Sequence, residues 1–417
     1  MSEVARTVVE VVDSVAADRV LVFGSLPPEG RDLDLLVRPA EEEALAHVFA
    51  LQGMLPRNHK WVVFQNCSAY RVELVPVRSW PVPTAELDAL FDEASPVEGS
   101  ARLFRPAPYH QLMIYGLRVS NGRGLAEKHR VRIADALAED PAAWDRAHER
   151  SPAWGIENAL QRIHEAFASG HTLPAPRSKP PRRRGHVVTL SGLDGAGKSA
   201  QAWGIIEALE RTGNAAAVEH VPLGSDRVLW VIGGLAQRFV RKTARLGLFT
   251  EAARRTEAGA SILGDPAHPA PGGGLMRGVL TQGWATFVAL ANALTQWRTA
   301  SRHVLAGRIV IHDRYTLDSV VRLRTLYGET TSFRFQRWLI QQLSPRPLCS
   351  FLLDVSPETA LERKTDRWSL EQLRGQATLY RAEHERLGVR LIDGERPAEE
   401  ICAEIAAAVW QALSKSA

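Results

Sequence analysis

One segment, residues 191–199, constrains the fold of this chain more than any other part of it. It reads Ser-Gly-Leu-Asp-Gly-Ala-Gly-Lys-Ser and fits the pattern G-x-x-x-x-G-K-[ST]. The apolar residues 187–190 precede it, and a helical spacing of apolar residues follows it over 200–209. Strand, glycine-rich loop and helix therefore stand in the order that this pattern requires. The segment predicts a phosphate-binding loop between a strand and a helix.

The residue types of this loop suit phosphate chemistry. Glycines let backbone N–H groups converge on phosphate oxygens without a Cβ in the way. Lys198 supplies a point charge, Ser199 a hydroxyl ligand for Mg²⁺, and the helix that follows a favourable dipole at its N-terminus. The residues expected to hold a phosphate-bearing cofactor are Gly192, Gly195, Ala196, Gly197, Lys198 and Ser199.

The bulk composition places the chain among ordinary α/β proteins with more than one domain. Its 417 residues are too many for one core, so we expect about two or three domains. The net charge of +4 suits a protein that handles nucleotide phosphates, but it is too small to indicate nucleic acid as a partner. No run of about 18 apolar residues occurs, and the acidic N-terminus does not resemble a signal peptide. We therefore expect a cytoplasmic protein without a membrane partner.

The three cysteines form no metal-binding or disulfide pattern. Cys67, Cys349 and Cys402 lie far apart in the chain. We expect each to be a small buried apolar residue in a reducing compartment.

The first 80 residues place three acids on predicted strands. A short strand over 19–23 is followed by a Pro/Gly turn and then by an apolar strand that carries Asp32 and Asp34. Residues i and i+2 of a strand share a face, so these two carboxylates project together. Glu73 lies in a later apolar strand and is the natural third acid. Carboxylates grouped in this way suit Mg²⁺, although Asp32 and Asp34 could also be a solvated pair and Glu73 a structural acid.

At these residues the chain resembles the DNA-polymerase-β-like nucleotidyltransferase superfamily. The resemblance implies an α+β domain over 1–80 in which Gly24 and Ser25 bind the phosphates of a nucleoside triphosphate. It also implies that the three acids hold two metal ions for in-line transfer. The third acid of this superfamily is usually Asp, whereas here it is Glu, so an inert site remains an alternative.

Residues 81–169 are helical by pattern and predict a companion domain for the first sheet. His110, Lys128, His129 and Arg132 are candidates to line an acceptor pocket, and solvated helix faces are the simpler interpretation of them. The segment 170–185 is rich in proline and arginine and predicts a semi-rigid linker.

Residues 186–417 alternate strands with helices, which predicts a parallel, doubly wound sheet. The apolar strand 309–313 ends in Asp313, at the sheet edge where such folds place ligands. Asp313 is therefore expected near Mg²⁺, and Arg314 near an anionic acceptor. The segment 241–274 lacks clear periodicity and is expected to be a lid or an insertion.

This region resembles thymidylate kinase and its relatives among P-loop nucleoside monophosphate kinases. The resemblance rests on residues 192–199, Asp313-Arg314-Tyr315, residues 353–363 and residues 392–394. It implies transfer of the ATP γ-phosphoryl group to an acceptor with Mg²⁺, and a lid that includes Lys364. The catalytic residues that it implies are Lys198, Asp194, Asp313, Arg314, Arg363 and Arg367.

The departures from this family fall in the acceptor pocket. The Arg-Glu-Pro-Gly-Gly element is replaced by residues 221–227, the base-reading Asp-Arg-Ala-Gln by residues 291–294, and the later Tyr-Gln pair by Arg322-Leu323. A site that loses the polar partners of a base loses much of its discrimination. We therefore hypothesise a small-molecule or nucleotide acceptor other than dTMP.

Three interpretations of the whole chain remain at this stage. The first is a bifunctional kinase and nucleotidyltransferase that uses ATP and Mg²⁺. The second is a genuine thymidylate kinase with an inert N-terminal module. The third is an ATP-binding regulatory protein that nucleotidylates or binds a macromolecule. A homodimer is compatible with each of them.

Overall fold

The structure, a computed structural model, describes residues 3–23, 32–65, 67–174, 185–220, 275–327, 334–364 and 368–416. Three predicted site residues, Gly24, Ser25 and Arg367, lie outside these ranges, as do the predicted lid 241–274 and most of the predicted linker.

The chain divides into two compact units. Unit 1 comprises residues 1–64 and 69–181, and unit 2 comprises residues 65–68 and 182–416. The helical residues 81–169 thus cluster with the first sheet. The predicted domain boundary near residue 80 and the predicted linker stay predictions.

Unit 1 is built on a mixed seven-stranded sheet in the part of the chain that the structure describes. Its strands are β1 (Val20–Phe23), β2 (Asp32–Val37), β3 (Leu55–Arg57), β4 (Lys60–Gln65), β5 (Ser68–Pro76), β6 (Ser95–Pro96) and β7 (Leu103–Arg105). Their order across the sheet is β3-β4-β5-β2-β1-β7-β6, with β2 antiparallel to β1 and parallel to β5.

The side chains of β2 alternate between two packed layers. Leu33 and Leu35 enter a core with the first two helices of the unit, and Leu36 packs in a second core with the later helices. Because alternate residues share a face, Asp32 and Asp34 lie on the same face as Leu36. The helices of unit 1 are α1 (Glu3–Val15), α2 (Pro39–Leu51), α3 (Thr84–Asp92), α4 (Pro108–Ser120), α5 (Glu127–Glu139), α6 (Ala143–Trp154) and α7 (Glu157–Ala168).

Three features of unit 1 were not predicted from the sequence. Helix α2 occupies a stretch for which no element was predicted, and strands β6 and β7 continue the sheet beyond residue 84. The parallel pairing of β7 with β1 explains why such a short strand forms, since its partner is already in place. Leu173, which lies in the predicted linker, accepts a hydrogen bond from the Leu125 N–H within unit 1.

Among its described residues, unit 2 contains an all-parallel five-stranded sheet, in agreement with the predicted α/β class. Its strands are β8 (His186–Gly192), β9 (Ala216–His220), β10 (Ile309–Asp313), β11 (Cys349–Asp354) and β12 (Arg390–Asp393). Their order is β12-β11-β8-β10-β9, so the strand before the glycine-rich loop is central. The pairings β10–β8, β10–β9, β11–β8 and β11–β12 are all parallel.

Helices cover both faces of this sheet. Val188 and Leu190 pack into the larger core, whereas Val187 and Val310 pack with Ala300 on the opposite face. A sheet covered on both sides requires continuous apolar strands, which is the pattern that the sequence shows. The helices are α8 (Lys198–Arg211), α9 (Leu275–Leu305), α10 (Thr316–Tyr327), α11 (Arg334–Leu343), α12 (Pro357–Arg363), α13 (Leu370–Glu383) and α14 (Ala398–Lys415). The sequence did not predict α10, α11 or α13.

Candidate active sites

The glycine-rich loop of unit 2 connects β8 directly to α8. Gly195 and Gly197 adopt positive φ angles of 94° and 83°, a region that favours glycine. A Cβ at Gly195 would lie 2.3 Å from the carbonyl oxygen of Ala360 in α12. The loop therefore packs backbone against backbone, and only glycine fits at this point.

Lys198 is buried at the first position of α8. Its ammonium donates to the carbonyl oxygens of Gly192, at 2.9 Å, and Leu193, at 2.7 Å. Burial lowers the pKa of this amine below its ordinary value. The cation is thus held within the loop by the loop's own backbone.

The side chains of Ser199, in α8, and Asp313, in β10, lie in contact. Asp313 ends β10, where it pairs in register with Leu190 of β8. The Ser199 hydroxyl donates to the Asp313 carboxylate at 2.6 Å. A hydroxyl beside a buried carboxylate is a donor set that suits Mg²⁺. The two residues are 114 positions apart in the chain, so the sequence did not show that they meet. The parallel pairing of β10 with β8 places Asp313 near the loop that leads to Ser199.

Arg314 and Asp194 form an ion pair beside the loop. Burial by itself would raise the pKa of Asp194, but Arg314 and Lys198 bring it below its ordinary value. Trp368 also donates its indole N–H to Asp194, at 3.2 Å. Arg314 has a φ of 78°, a conformation that costs on the order of 1 kcal/mol in a residue other than glycine. Strain of this kind is typical of functional sites.

Arg363 is less closely tied to this site. It ends α12, is exposed, and its side chain forms no hydrogen bond or ion pair with the residues that the structure describes. The neighbouring Lys364 contributes to the lowered pKa of Asp194. Of the predicted cationic lid, Arg363 and Lys364 are described, and Arg367 lies outside the described residues.

Sequence analysis missed Asp318, a buried acid in the first turn of α10. Its carboxylate accepts hydrogen bonds from the Ser191 hydroxyl at 2.6 Å, the Tyr315 N–H at 3.0 Å and the Tyr380 hydroxyl at 2.8 Å. These bonds join the start of the loop, the end of β10 and helix α13. An acid five positions after Asp313 was a signal, but its partners are distant in sequence.

In unit 1, strand register brings two of the three predicted acids together. Asp34 pairs with Glu73 across the parallel strands β2 and β5, and Asp32 pairs with Arg71. Burial, then the charges of Glu73 and Asp32, raise the pKa of Asp34 to about 6. Burial is the largest cause of the raised pKa of Asp34, and repulsion from the neighbouring carboxylates adds to it.

These acids line a cleft of about 990 Å³ within unit 1. Lys128, His129 and Arg132 line the same cleft, as the acceptor-pocket interpretation required. His110 does not belong to this lining. It is fully buried beside Tyr109, and burial lowers its pKa to about 4.

Two of these acids already form ion pairs with basic side chains of the same sheet. Arg71 lies 3.1 Å from Asp32, and Lys60 lies 3.9 Å from Glu73. Within the described ranges, no three His, Cys, Asp or Glu side chains are grouped closely enough to hold a metal ion. The chemistry of the donors suits Mg²⁺, and binding would require these ion pairs to rearrange.

We predict that Asp34→Asn stabilises unit 1 in metal-free buffer at pH 8. A raised pKa contributes stability that is complete below the unfolded pKa of 3.8 and is lost as the pH rises through about 6. Asn resembles the protonated acid, so the gain above pH 6 should be about 3 kcal/mol in the free energy of unfolding. Denaturant unfolding with EDTA, at pH 4 and pH 8, measures it.

Asp92→Asn is the matched control, because Asp92 is exposed and its side chain has no hydrogen-bond partner in the described chain. It should change stability little at either pH. A gain for Asp34→Asn that is equal at pH 4 and pH 8 would contradict the assigned pKa.

The described helices include none that is both long enough and apolar enough to cross a membrane. No known protein-family model matches this chain, and no curated protein matches it either.

Proposed function

We propose that unit 2 is an ATP-dependent phosphotransferase and that unit 1 is a nucleotidyltransferase. The observation that carries the first assignment is the 2.6 Å bond between Ser199 and Asp313, next to the buried Lys198. A hydroxyl, a carboxylate and an ammonium meet where a strand ends and a helix begins. This set of groups suits a nucleoside triphosphate with its magnesium ion.

In this proposal the residues of unit 2 bind and position, and they perform no covalent chemistry. Backbone N–H groups of 195–199 hold the phosphates, and Lys198 compensates charge on the transferred group. Bound Mg²⁺ would neutralise phosphate charge, with Ser199 and Asp313 as its protein partners. The ion pair between Arg314 and Asp194 would open, and Arg314 would then hold an anionic acceptor. A guanidinium can donate two parallel hydrogen bonds to the oxygens of one phosphate.

The acceptor is proposed to be a small molecule or nucleotide other than dTMP. Of the four positions that align with the family's base-reading element, three carry apolar side chains: Ala291, Ala293 and Leu294. These three cannot hydrogen-bond to a base, and the buried amide of Asn292 is the one polar side chain among the four. The nearby buried amide of Gln296 is already bonded to Ser319 and Ser344.

The second assignment rests on the acids of unit 1. Asp34 and Glu73 meet in register, share one face with Asp32 and border a cleft that also carries basic side chains. Such a cleft supports transfer of a nucleotidyl group with two metal ions held by carboxylates. The raised pKa of Asp34 is consistent with a place for cations, because a bound cation would offset the repulsion.

A screen of acceptors with ATP labelled in either the γ- or the α-phosphate tests both assignments. We expect γ-label transfer to at least one acceptor, with dTMP well below the best of them. Asp313→Asn should abolish γ-transfer and leave α-transfer intact, and Asp34→Asn should do the reverse. Both substitutions keep side-chain volume, so they serve as controls for each other.

Two results would overturn the proposal. Full γ-transfer by Asp313→Asn would remove the kinase assignment of unit 2. Turnover of dTMP equal to that of the best alternative acceptor would remove the proposed change of substrate.

A further inference from the structure

The cleft of unit 1 has two walls of opposite charge. The acid wall is Asp32, Asp34 and Glu73 on the sheet. The basic wall is Arg118, Arg123, Lys128 and Arg132, which come from α4, α5 and the turn between them.

Two cations of the sheet side, Lys60 and Arg71, are already paired with the acid wall. Lys60 lies 3.9 Å from Glu73, and Arg71 lies 3.1 Å from Asp32. Their charge is therefore balanced within the protein. It is not available for a ligand unless these pairs open.

The basic wall differs in this respect. Arg118, Arg123 and Lys128 form no ion pair with any carboxylate in the described ranges, and Arg118 donates its Nε–H to the carbonyl oxygen of Gly124 at 3.0 Å. Asp135 and Glu139 also line the cleft, and neither forms an ion pair with Arg118, Arg123 or Lys128. Within the described ranges, three cationic side chains thus lie at one place without a carboxylate in ion-pair contact.

These like charges act on one another. Burial, then the charge of Arg123, lowers the pKa of Arg118. Burial, then Arg118, Lys128 and Arg132, lowers the pKa of His129 to about 4. The imidazole accepts a hydrogen bond from the Ala126 N–H at 2.9 Å, which fits its neutral form. Assembling cations in a partly buried cleft costs free energy that an anion would offset.

We propose that the basic wall binds the phosphate group of a phosphorylated ligand across the cleft from the acid wall. This inference deepens the nucleotidyltransferase proposed for the same cleft and rests on it for the reaction. Two ligands share the required chemistry, the triphosphate of the nucleotide donor and a phosphomonoester acceptor. A monoester would belong to the class of product that the proposed kinase of unit 2 makes.

Isothermal titration calorimetry on the full chain tests this inference. The probes are α,β-methylene-ATP for the triphosphate, glucose 1-phosphate for the monoester, and glucose as the uncharged control. The test variant is Arg123→Gln/Lys128→Gln, since both side chains are exposed and their loss should not disturb packing. Arg118→Gln, a half-buried position, is the second variant. Each protein is first checked by thermal melting.

We expect the Kd of at least one phosphorylated probe to rise roughly tenfold or more in the double variant. The probe that weakens identifies the source of the phosphate. Arg162→Gln is the matched control, because Arg162 is exposed on α7 and does not line the cleft. A nucleotide site in unit 2 contributes equally to all proteins, so only differences between them are interpreted.

Two outcomes would overturn the inference. One is binding of both phosphorylated probes that changes less than twofold in both variants. The other is a wild type that binds neither probe more tightly than glucose. Since binding is measured without turnover, loss of the proposed nucleotidyl transfer with intact phosphate binding would refute the reaction alone.

Discussion

Lys198→Ala should lower the kcat of phosphoryl transfer roughly 10²- to 10³-fold, the loss typical of removing one preorganised group that stabilises transition-state charge. The ammonium lies within the loop, bonded to the carbonyls of Gly192 and Leu193, so it is positioned before any ligand arrives. No neighbouring side chain of the loop carries a charge that could replace it. A coupled assay with the best acceptor measures the change.

Lys415→Ala is the control for the removal of a lysine from unit 2. Lys415 is exposed at the end of α14 and belongs to no proposed site. Its loss should leave kcat within a factor of about two. Full activity of Lys198→Ala would refute the role proposed for the glycine-rich loop.

Gly195→Ala should destabilise unit 2 by roughly 3 kcal/mol and weaken ATP binding with it. At a φ of 94° an alanine is strained, and its Cβ would lie 2.3 Å from the carbonyl oxygen of Ala360. Backbone cannot rotate away as a flexible side chain can, so the loop or α12 must shift. Urea unfolding followed by tryptophan fluorescence, with ATP titration, measures both effects.

Gly375→Ala provides the matched comparison. Gly375 is exposed in the interior of α13, has no positive φ, and a Cβ there would meet nothing within 4 Å. Alanine is the better helix former, so this variant should gain about 0.5–1 kcal/mol. Equal stability changes in the two variants would show that the contact with Ala360 does not constrain the loop.

Strands with strong apolar patterns were predicted well. The predicted strand 309–313 is confirmed at both ends, and the predicted strand that carries Asp32 and Asp34 is β2. Their apolar residues recur at the spacing of the element, and the buried sheets require that spacing. Strands β6 and β7 carry too few residues for a pattern. Strand β7 forms because β1 offers an edge with which to pair, and β6 then pairs with β7.

The candidate sites show the same division. Lys198 and Ser199 are adjacent in one motif and could be identified directly. Asp318 could not, because its partners Ser191 and Tyr380 lie 127 and 62 positions away in the chain. Asp318 connects the loop to helix α13 only in the folded unit, where these partners come together.

By itself the sequence determined the glycine-rich loop, the strand before it and the acids at strand ends, since these depend on local spacing and backbone freedom. Tertiary structure alone decided which of these groups meet. Parallel register joins Ser199 to Asp313 over 114 positions and Asp34 to Glu73 across two strands. Helix packing in unit 1 also placed Arg118 of α4 and Lys128 of α5 in the cleft that the acids line. Hydrogen bonding between strands sets that register, and local periodicity carries no record of it.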